Sequence, residues 1–156
     1  MLDWSAVEAV GTWAMALVAV GGIIFVRRQL QQVERTIRGD THERLTTESF
    51  EVLKFLASEP KSYPYFYEGK NLEEGCEIRV FVMYAAELLA NYMEHVVAQR
   101  ANMSDADWKI WNRFLHETLS LAPVVRGFLR SRRGWYSAEL VSMSDKVEQQ
   151  AVLNDK

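Results

Sequence analysis

Residues 7–38 read VEAVGTWAMALVAVGGIIFVRRQLQQVERTIR, and this stretch decides the predicted fold. Its first part, residues 7–26, carries one charge, Glu8, and residues 9–26 carry none. At about 1.5 Å of rise per residue, such a helix spans roughly 30 Å, the thickness of the hydrocarbon core of a bilayer. The sequence therefore predicts a transmembrane helix over residues 7–26.

The distribution of arginine predicts the orientation of this helix. No Lys or Arg precedes residue 27, whereas Arg27 and Arg28 follow the apolar segment at once. Because Lys and Arg are retained on the cytoplasmic side, we expect residues 1–6 outside and the rest of the chain in the cytoplasm. The expected location is the bacterial inner membrane, with the lipid bilayer as a partner. Trp4, Arg27 and Arg28 are the expected anchors at the membrane interfaces, where amphipathic rings and long cationic side chains are favoured.

The apolar segment fits a signal peptide or a buried core helix less well. A cleaved signal peptide begins with basic residues, whereas residues 2–10 hold Asp3 and Glu8 and neither Lys nor Arg. A buried core helix of a globular protein would show an apolar stripe, whereas here the apolar character surrounds the helix.

Small and apolar residues recur at alternating spacings of three and four along this segment. The predicted self-association stripe comprises Ala9, Thr12, Ala16, Ala19, Ile23, Leu30, Val33 and Ile37. Small residues let helices approach closely in lipid, and apolar residues at this spacing in a polar setting are typical of a coiled coil. The basic juxtamembrane helix, residues 27–38, is therefore predicted to continue the anchor and to join copies of the chain. Chance spacing, or packing of this helix on its own domain, remains an alternative.

Residues 39–149 are predicted to form a small cytoplasmic bundle of α-helices, followed by a flexible tail at residues 150–156. Gly39-Asp40 indicates a break, and Glu59-Pro60 indicates a helix end because proline disfavours helical geometry in the preceding residue. An aromatic connector at residues 61–71 is expected to be fixed in the core by its rings, with a stacking platform for a ligand as the alternative. Further helix starts are predicted near residue 74 and from Ser104, Pro123 and Ser137. The fold class is all-α.

Helical periodicity also predicts which side chains are buried. In the helix after Asp40 the expected buried face is Leu45, Val52, Leu53 and Leu56. In the helix of residues 74–100 one row from Ile78 to Val96 is expected in the core. A second row, comprising Val80, Tyr84 and Leu88, predicts burial on more than one side, as in a bundle.

A search for catalytic chemistry finds no motif, so we expect neither an enzyme nor a cofactor. Phosphate-binding glycine loops and the G-x-S-x-G nucleophile turn are absent from the sequence. None of the three histidines, His42, His95 and His116, follows a glutamate by three residues, as a carboxylate-bridged metal site in a bundle requires. The net charge of −3 gives no reason to expect a nucleic-acid polymer as partner. The single cysteine, Cys76, excludes an internal disulfide.

One cluster of cations is a candidate binding site. Arg126, Arg130, Arg132 and Arg133 lie in the segment RGFLRSRRG, where Arg126, Arg130 and Arg133 would share one helical face. Arginine binds phosphate in a bidentate manner, so a small anionic ligand such as a nucleotide, an anionic lipid head or an acidic partner would fit. The alternative is structural, because cations near a helix C-terminus complement its dipole and also pair with glutamates of neighbouring helices.

The chain resembles a broad group of uncharacterised bacterial single-pass, membrane-anchored α-helical proteins. The resembling segments are the anchor with its basic end, RGDTHERLTTESFEVLKFLASEP, YPYFYEGKNL, AAELLANYMEHVVAQR and GWYSAEL. The resemblance implies a helical module on one anchor and no catalytic residue. The expected function is an interaction module or accessory subunit that forms homo-oligomers or binds other membrane-protein subunits. The alternative is a ligand-gated sensor or effector that binds an anionic small molecule.

Overall fold

The computed structural model describes residues 4–154, of which residues 4–14, 16–18, 152 and 154 are described by their backbone alone. The described part is all-α, as predicted, and contains no strand. Its helices are α1 (Trp4–Ala57), α2 (Tyr63–Tyr67), α3 (Arg79–Ala98), α4 (Asp105–Leu121), α5 (Pro123–Ser131) and α6 (Ala138–Asn154). Short 3₁₀ turns occupy Pro60–Ser62, Arg100–Asn102 and Arg133–Trp135.

Helix α1 continues through Gly39-Asp40, so the predicted break at this dipeptide is wrong. A glycine inside a helix destabilises it by only about 1 kcal/mol relative to alanine. The residues on both sides of Gly39 favour the helix enough to offset this loss. The dipeptide nevertheless marks a boundary of another kind, because the chain divides into one unit that ends at Asp40 and another that begins at Thr41.

The structure bears on the predicted membrane segment in one respect. Within the part of the chain that it describes, no helix is both long enough and apolar enough to cross a membrane.

The core of the unit from Thr41 onward is built around α3. This helix packs against α5 and α6, and α4 packs against α2 and α6. The predicted inner row of α3 is buried from Val82 to Val96, whereas Ile78 and Phe81 at its start are only partly buried. Leu45, Val52 and Leu56 of α1 are buried as predicted. Leu53 is 48% exposed, so its predicted burial is wrong. The predicted burial of the second row on α3 is also wrong, since Val80, Tyr84 and Leu88 lie on the side that the bundle leaves open and are 70%, 64% and 37% exposed.

Local polar chemistry sets the beginnings of the later helices, as predicted. The Ser104 hydroxyl oxygen accepts a hydrogen bond from the Asp107 N–H at 3.2 Å and so caps α4. Pro123 occupies the first turn of α5, where its missing N–H costs nothing. At α6 the Ser137 hydroxyl oxygen accepts from the Leu140 N–H at 3.3 Å. Helix α6 then runs to Asn154, past residue 150, where the predicted tail begins.

The aromatic connector is fixed in the core by two of its rings. Tyr65 and Phe66 are buried, which confirms the predicted structural role of the segment. Tyr63 and Tyr67 are exposed and stack on each other with ring centroids 4.8 Å apart. The connector turns at Gly69, whose φ of 73° lies in the left-handed region that favours glycine.

Candidate functional site

Between residues 19 and 37, the apolar side chains of α1 face solvent in the single chain. Ile23, Leu30, Val33 and Ile37 are 69%, 65%, 55% and 44% exposed, and Ala19 is exposed as well. Ala9, Thr12 and Ala16 of the predicted stripe, and the predicted anchor Trp4, lie outside the residues whose side chains are described. A repeated row of exposed apolar residues on one helix is the pattern of a surface that a partner covers.

The polar side chains around this row are also exposed. Arg27 and Arg28, the predicted interfacial anchors after the apolar segment, are exposed. Arg38 pairs with Glu34 one turn earlier at 2.5 Å. Since both partners lie on the same helix and are largely exposed, this pair supports the helix by only about 0.3–0.5 kcal/mol.

A groove of about 700 Å³ separates α1 from α3 in the unit that begins at Thr41. In its lining, Glu48 accepts hydrogen bonds from Arg44 Nε at 3.1 Å and from His95 Nδ1 at 2.5 Å. The other ring nitrogen of His95 lies 3.3 Å from the amide nitrogen of Gln99. A proton on Nδ1 lets His95 donate to the Glu48 carboxylate. The rest of the lining mixes apolar side chains such as Phe55 and Leu88 with hydroxyl, amide and charged side chains, which include Glu51 and Lys54.

We expect the Glu48 interaction to make stability depend on pH in the acidic range. Partial burial opposes ionisation of Glu48, but hydrogen bonds and charge from Arg44 and His95 outweigh it and lower the pKa below 4.5. The stabilisation is therefore complete above pH 4.5 and is lost as the pH falls through the lowered folded-state pKa. Glu48→Gln should lower the free energy of unfolding by about 1 kcal/mol near neutral pH and by less in acid.

The measurement is urea unfolding of wild type and Glu48→Gln at neutral pH and at pH values below 4.5. Glu51→Gln is the control, because Glu51 is exposed and its ion pair, with Lys54 at 2.6 Å, lies within its own helix. A wild-type advantage over Glu48→Gln that stays the same in acid would contradict the assigned role.

The candidate anion-binding arginines are each engaged by groups of their own chain. Arg130 donates to Glu148 at 2.6 Å, and Arg133 makes a bidentate pair with Asp145 at 2.7 and 3.2 Å. Because Glu148 and Asp145 both lie on α6, these pairs join the end of α5 and the following turn to the last helix. This arrangement favours the structural interpretation of the cluster.

The other two arginines, Arg126 and Arg132, contact backbone carbonyl groups and an aromatic ring instead of carboxylates. Arg126 is partly buried and donates to the carbonyl oxygens of Leu119 and Ser120 at the end of α4, and its burial lowers the pKa of its guanidinium. Arg132 lies over the Trp135 ring, 4.7 Å from its centroid. Since α5 ends at Ser131, the prediction that Arg133 shares a helical face with Arg126 is wrong.

We expect Arg133→Ala to reduce stability slightly and to have no effect on how the protein responds to ATP. Both partners of the Arg133–Asp145 pair are partly exposed, so their coupling should be about 0.2–1 kcal/mol. A double-mutant cycle with Asp145→Ala measures this coupling. ATP should leave the melting temperature of the wild type unchanged, and an ATP-dependent rise that Arg133→Ala removes would instead support the anion-binding hypothesis.

No sequence pattern predicted the contact between Glu48 and His95. They stand 47 residues apart, and neither belongs to a recognisable motif. Among the described residues there is no group of three or more His, Cys, Asp or Glu side chains that would hold a metal ion. No protein-family model, curated protein or solved structure matches the chain. The resemblance to bacterial membrane-anchored proteins stays a prediction.

Proposed function

We propose that the protein is a membrane-anchored helical interaction module, or accessory subunit of a membrane complex, that self-associates through the first part of α1. The observation that carries this proposal is the exposed apolar row of Ile23, Leu30, Val33 and Ile37. The unit that begins at Thr41 is then the part that the anchor holds at the cytoplasmic face of the inner membrane.

The anchor itself is supported by the sequence of residues 7–26. The uncharged run of residues 9–26 is long enough for a bilayer, and arginine follows it but does not precede it. The side chains of residues 7–14 and 16–18 lie outside the described part, so this element of the proposal depends on composition and charge.

The spacing of the exposed row supports a parallel coiled coil. Single-pass chains inserted in one direction present their α1 helices to each other in parallel. In heptad terms, Ile23, Leu30 and Ile37 occupy a positions, and Val26 and Val33 occupy d positions. These five residues are all exposed in the single chain and would be buried between copies.

The charges beside this row are compatible with identical partners. In a parallel pair each g residue faces the e residue of the next heptad on the other helix. These positions pair Gln29 with Glu34 and Gly22 with Arg27, so they bring no like charges together. Arg28 and Arg35 fall at f positions, on the outside. Asp40 would occupy the next d position, which ends the apolar seam after Ile37.

Cysteine cross-linking in isolated membranes tests the self-association. In a Cys76→Ser background, Val33→Cys places a thiol in the seam, whereas Arg35→Cys places it about 200° around the helix. A mild oxidant should convert Val33→Cys to a disulfide-linked dimer and leave Arg35→Cys monomeric. Equal cross-linking of the two variants, or of neither, would contradict a specific seam.

Membrane fractionation tests the anchor and its orientation separately. The wild-type chain should stay in the membrane pellet after a carbonate wash. A C-terminal epitope tag should resist protease in intact spheroplasts and be digested after lysis. Release by carbonate would refute the anchor, and digestion in intact spheroplasts would refute the orientation.

A further inference from the structure

A second cavity, of about 410 Å³, lies among α1, α2, α3 and α4 in the unit that begins at Thr41. Its walls include Leu53, Leu56, Phe66, Tyr92, Trp111 and Phe114. Protein interiors are packed as densely as organic crystals and rarely leave voids much larger than a water molecule. A volume of this size instead falls within the range of about 300–1,000 Å³ that small-molecule sites occupy.

Three aromatic rings give the wall a preformed shape. Tyr92, Trp111 and Phe114 contact one another edge to face, with centroid separations of 5.9–6.3 Å and interplanar angles of 70–89°. The Tyr92 hydroxyl is held by a 3.0 Å hydrogen bond to the Leu45 carbonyl oxygen. Mutual edge-to-face contacts of this kind stabilise each pair by about 0.5–1.5 kcal/mol, so the rings are restrained before any ligand binds.

The charges around the cavity restrict what it can bind. Among the described residues that line it there is no Lys, Arg or His, and its one charged side chain is Glu117. Glu117 is exposed and accepts a hydrogen bond from Arg113 at 2.8 Å. The Ser49 hydroxyl donates to the Thr46 carbonyl oxygen at 2.6 Å, which leaves its oxygen available as an acceptor. An anion would therefore meet no cation and one carboxylate.

Most of the lining side chains are apolar, so water that enters from solvent finds few polar partners, and an apolar ligand that displaces it gains affinity. We propose that the cavity is a binding site for an uncharged, largely apolar small molecule that contains a ring. The ligand enters past Leu53, Tyr67 and Leu121, which are exposed at the mouth. Ligand binding in this cavity is separate from the self-association of α1.

Photolabelling of the full-length chain in membranes tests the site and reports its position. The probe is 3-trifluoromethyl-3-phenyldiazirine, which is uncharged, and its matched anionic control is the same molecule with a ring carboxylate. Mass spectrometry should find saturable labelling by the uncharged probe in peptides that contain Phe66 or Trp111–Phe114. Excess trifluoromethylbenzene should compete with it, and the anionic probe should label these peptides about tenfold less.

Two tryptophan substitutions provide a matched pair of variants. Leu53→Trp fills the mouth from a position that is half exposed, and it should reduce the specific labelling about tenfold. Ile110→Trp lies on the exposed side of α4, does not line the cavity, and should leave labelling unchanged. Thermal melting checks that both variants fold. If Leu53→Trp does not fold, competition by trifluoromethylbenzene for labelling of the wild type still tests the proposal.

Three results would overturn the proposal. The first is labelling of these peptides that does not saturate or is not competed. The second is equal labelling by the anionic probe. The third is labelling that appears only after self-association is disrupted, which would show that a second copy fills the cavity.

Discussion

Replacing Leu30 and Val33 together by aspartate is expected to convert the protein from an oligomer to a monomer. Burying a leucine or valine side chain contributes about 1.5–3 kcal/mol, so losing two from each of two copies weakens association by on the order of 6 kcal/mol. Burial of the new carboxylates weakens association further. Each would lie next to the same carboxylate of the other copy, with no cation to pair with. Size-exclusion chromatography with light scattering, in mild detergent, measures the change in mass.

Gln31→Asp with Gln32→Asp is the matched control for that variant. It adds the same two negative charges to the same helix, but at exposed positions on the outer side of the predicted seam. This control should keep the mass of the wild type. If the Leu30 and Val33 variant also keeps that mass, the exposed row is not the association surface.

The second large effect is expected in the core of the unit that begins at Thr41. Leu115 of α4 is 0% exposed and packs within the continuous cluster around α3. Leu115→Ala should lower the free energy of unfolding by about 2–5 kcal/mol, through lost burial and the cavity that remains. This is a large part of the roughly 5–15 kcal/mol that stabilises a typical domain.

Urea unfolding followed by tryptophan fluorescence measures the loss for Leu115→Ala. Ile110→Ala is the control on the same helix, because Ile110 is 65% exposed and its truncation should change stability by no more than about 0.5 kcal/mol. If the two substitutions destabilise the protein equally, the assigned inner face of α4 is wrong.

The sequence predicted helix boundaries well where one residue determines the local geometry. Ser104 supplies a cap hydrogen bond to Asp107, and Pro123 restricts the backbone at the start of α5. These effects depend on neighbours within a few residues, so a sequence pattern contains them. Gly39 misled the prediction because a helix-disfavouring residue costs little when the residues on both sides continue the helix.

Predictions failed where they required knowledge of which helix faces the bundle covers. Val80, Tyr84 and Leu88 form an apolar row at helical spacing, but the structure leaves that side of α3 open. Periodicity shows that residues share a face and does not show whether another helix lies against it.

The candidate sites show the same limit. The pairing of Glu48 with His95, and of Arg130 with Glu148, joins residues from different helices. The aromatic cavity likewise takes its walls from four helices. Such arrangements arise from tertiary packing, which no local pattern of residues specifies. The exposed row on α1 is different, because a repeated spacing along one helix defines it.

Sedimentation equilibrium of the full-length chain in a density-matched detergent tests self-association most directly. We predict a mass that is an integer multiple, greater than one, of the 18.0 kDa chain. A single species of 18.0 kDa at every protein concentration would contradict self-association through α1.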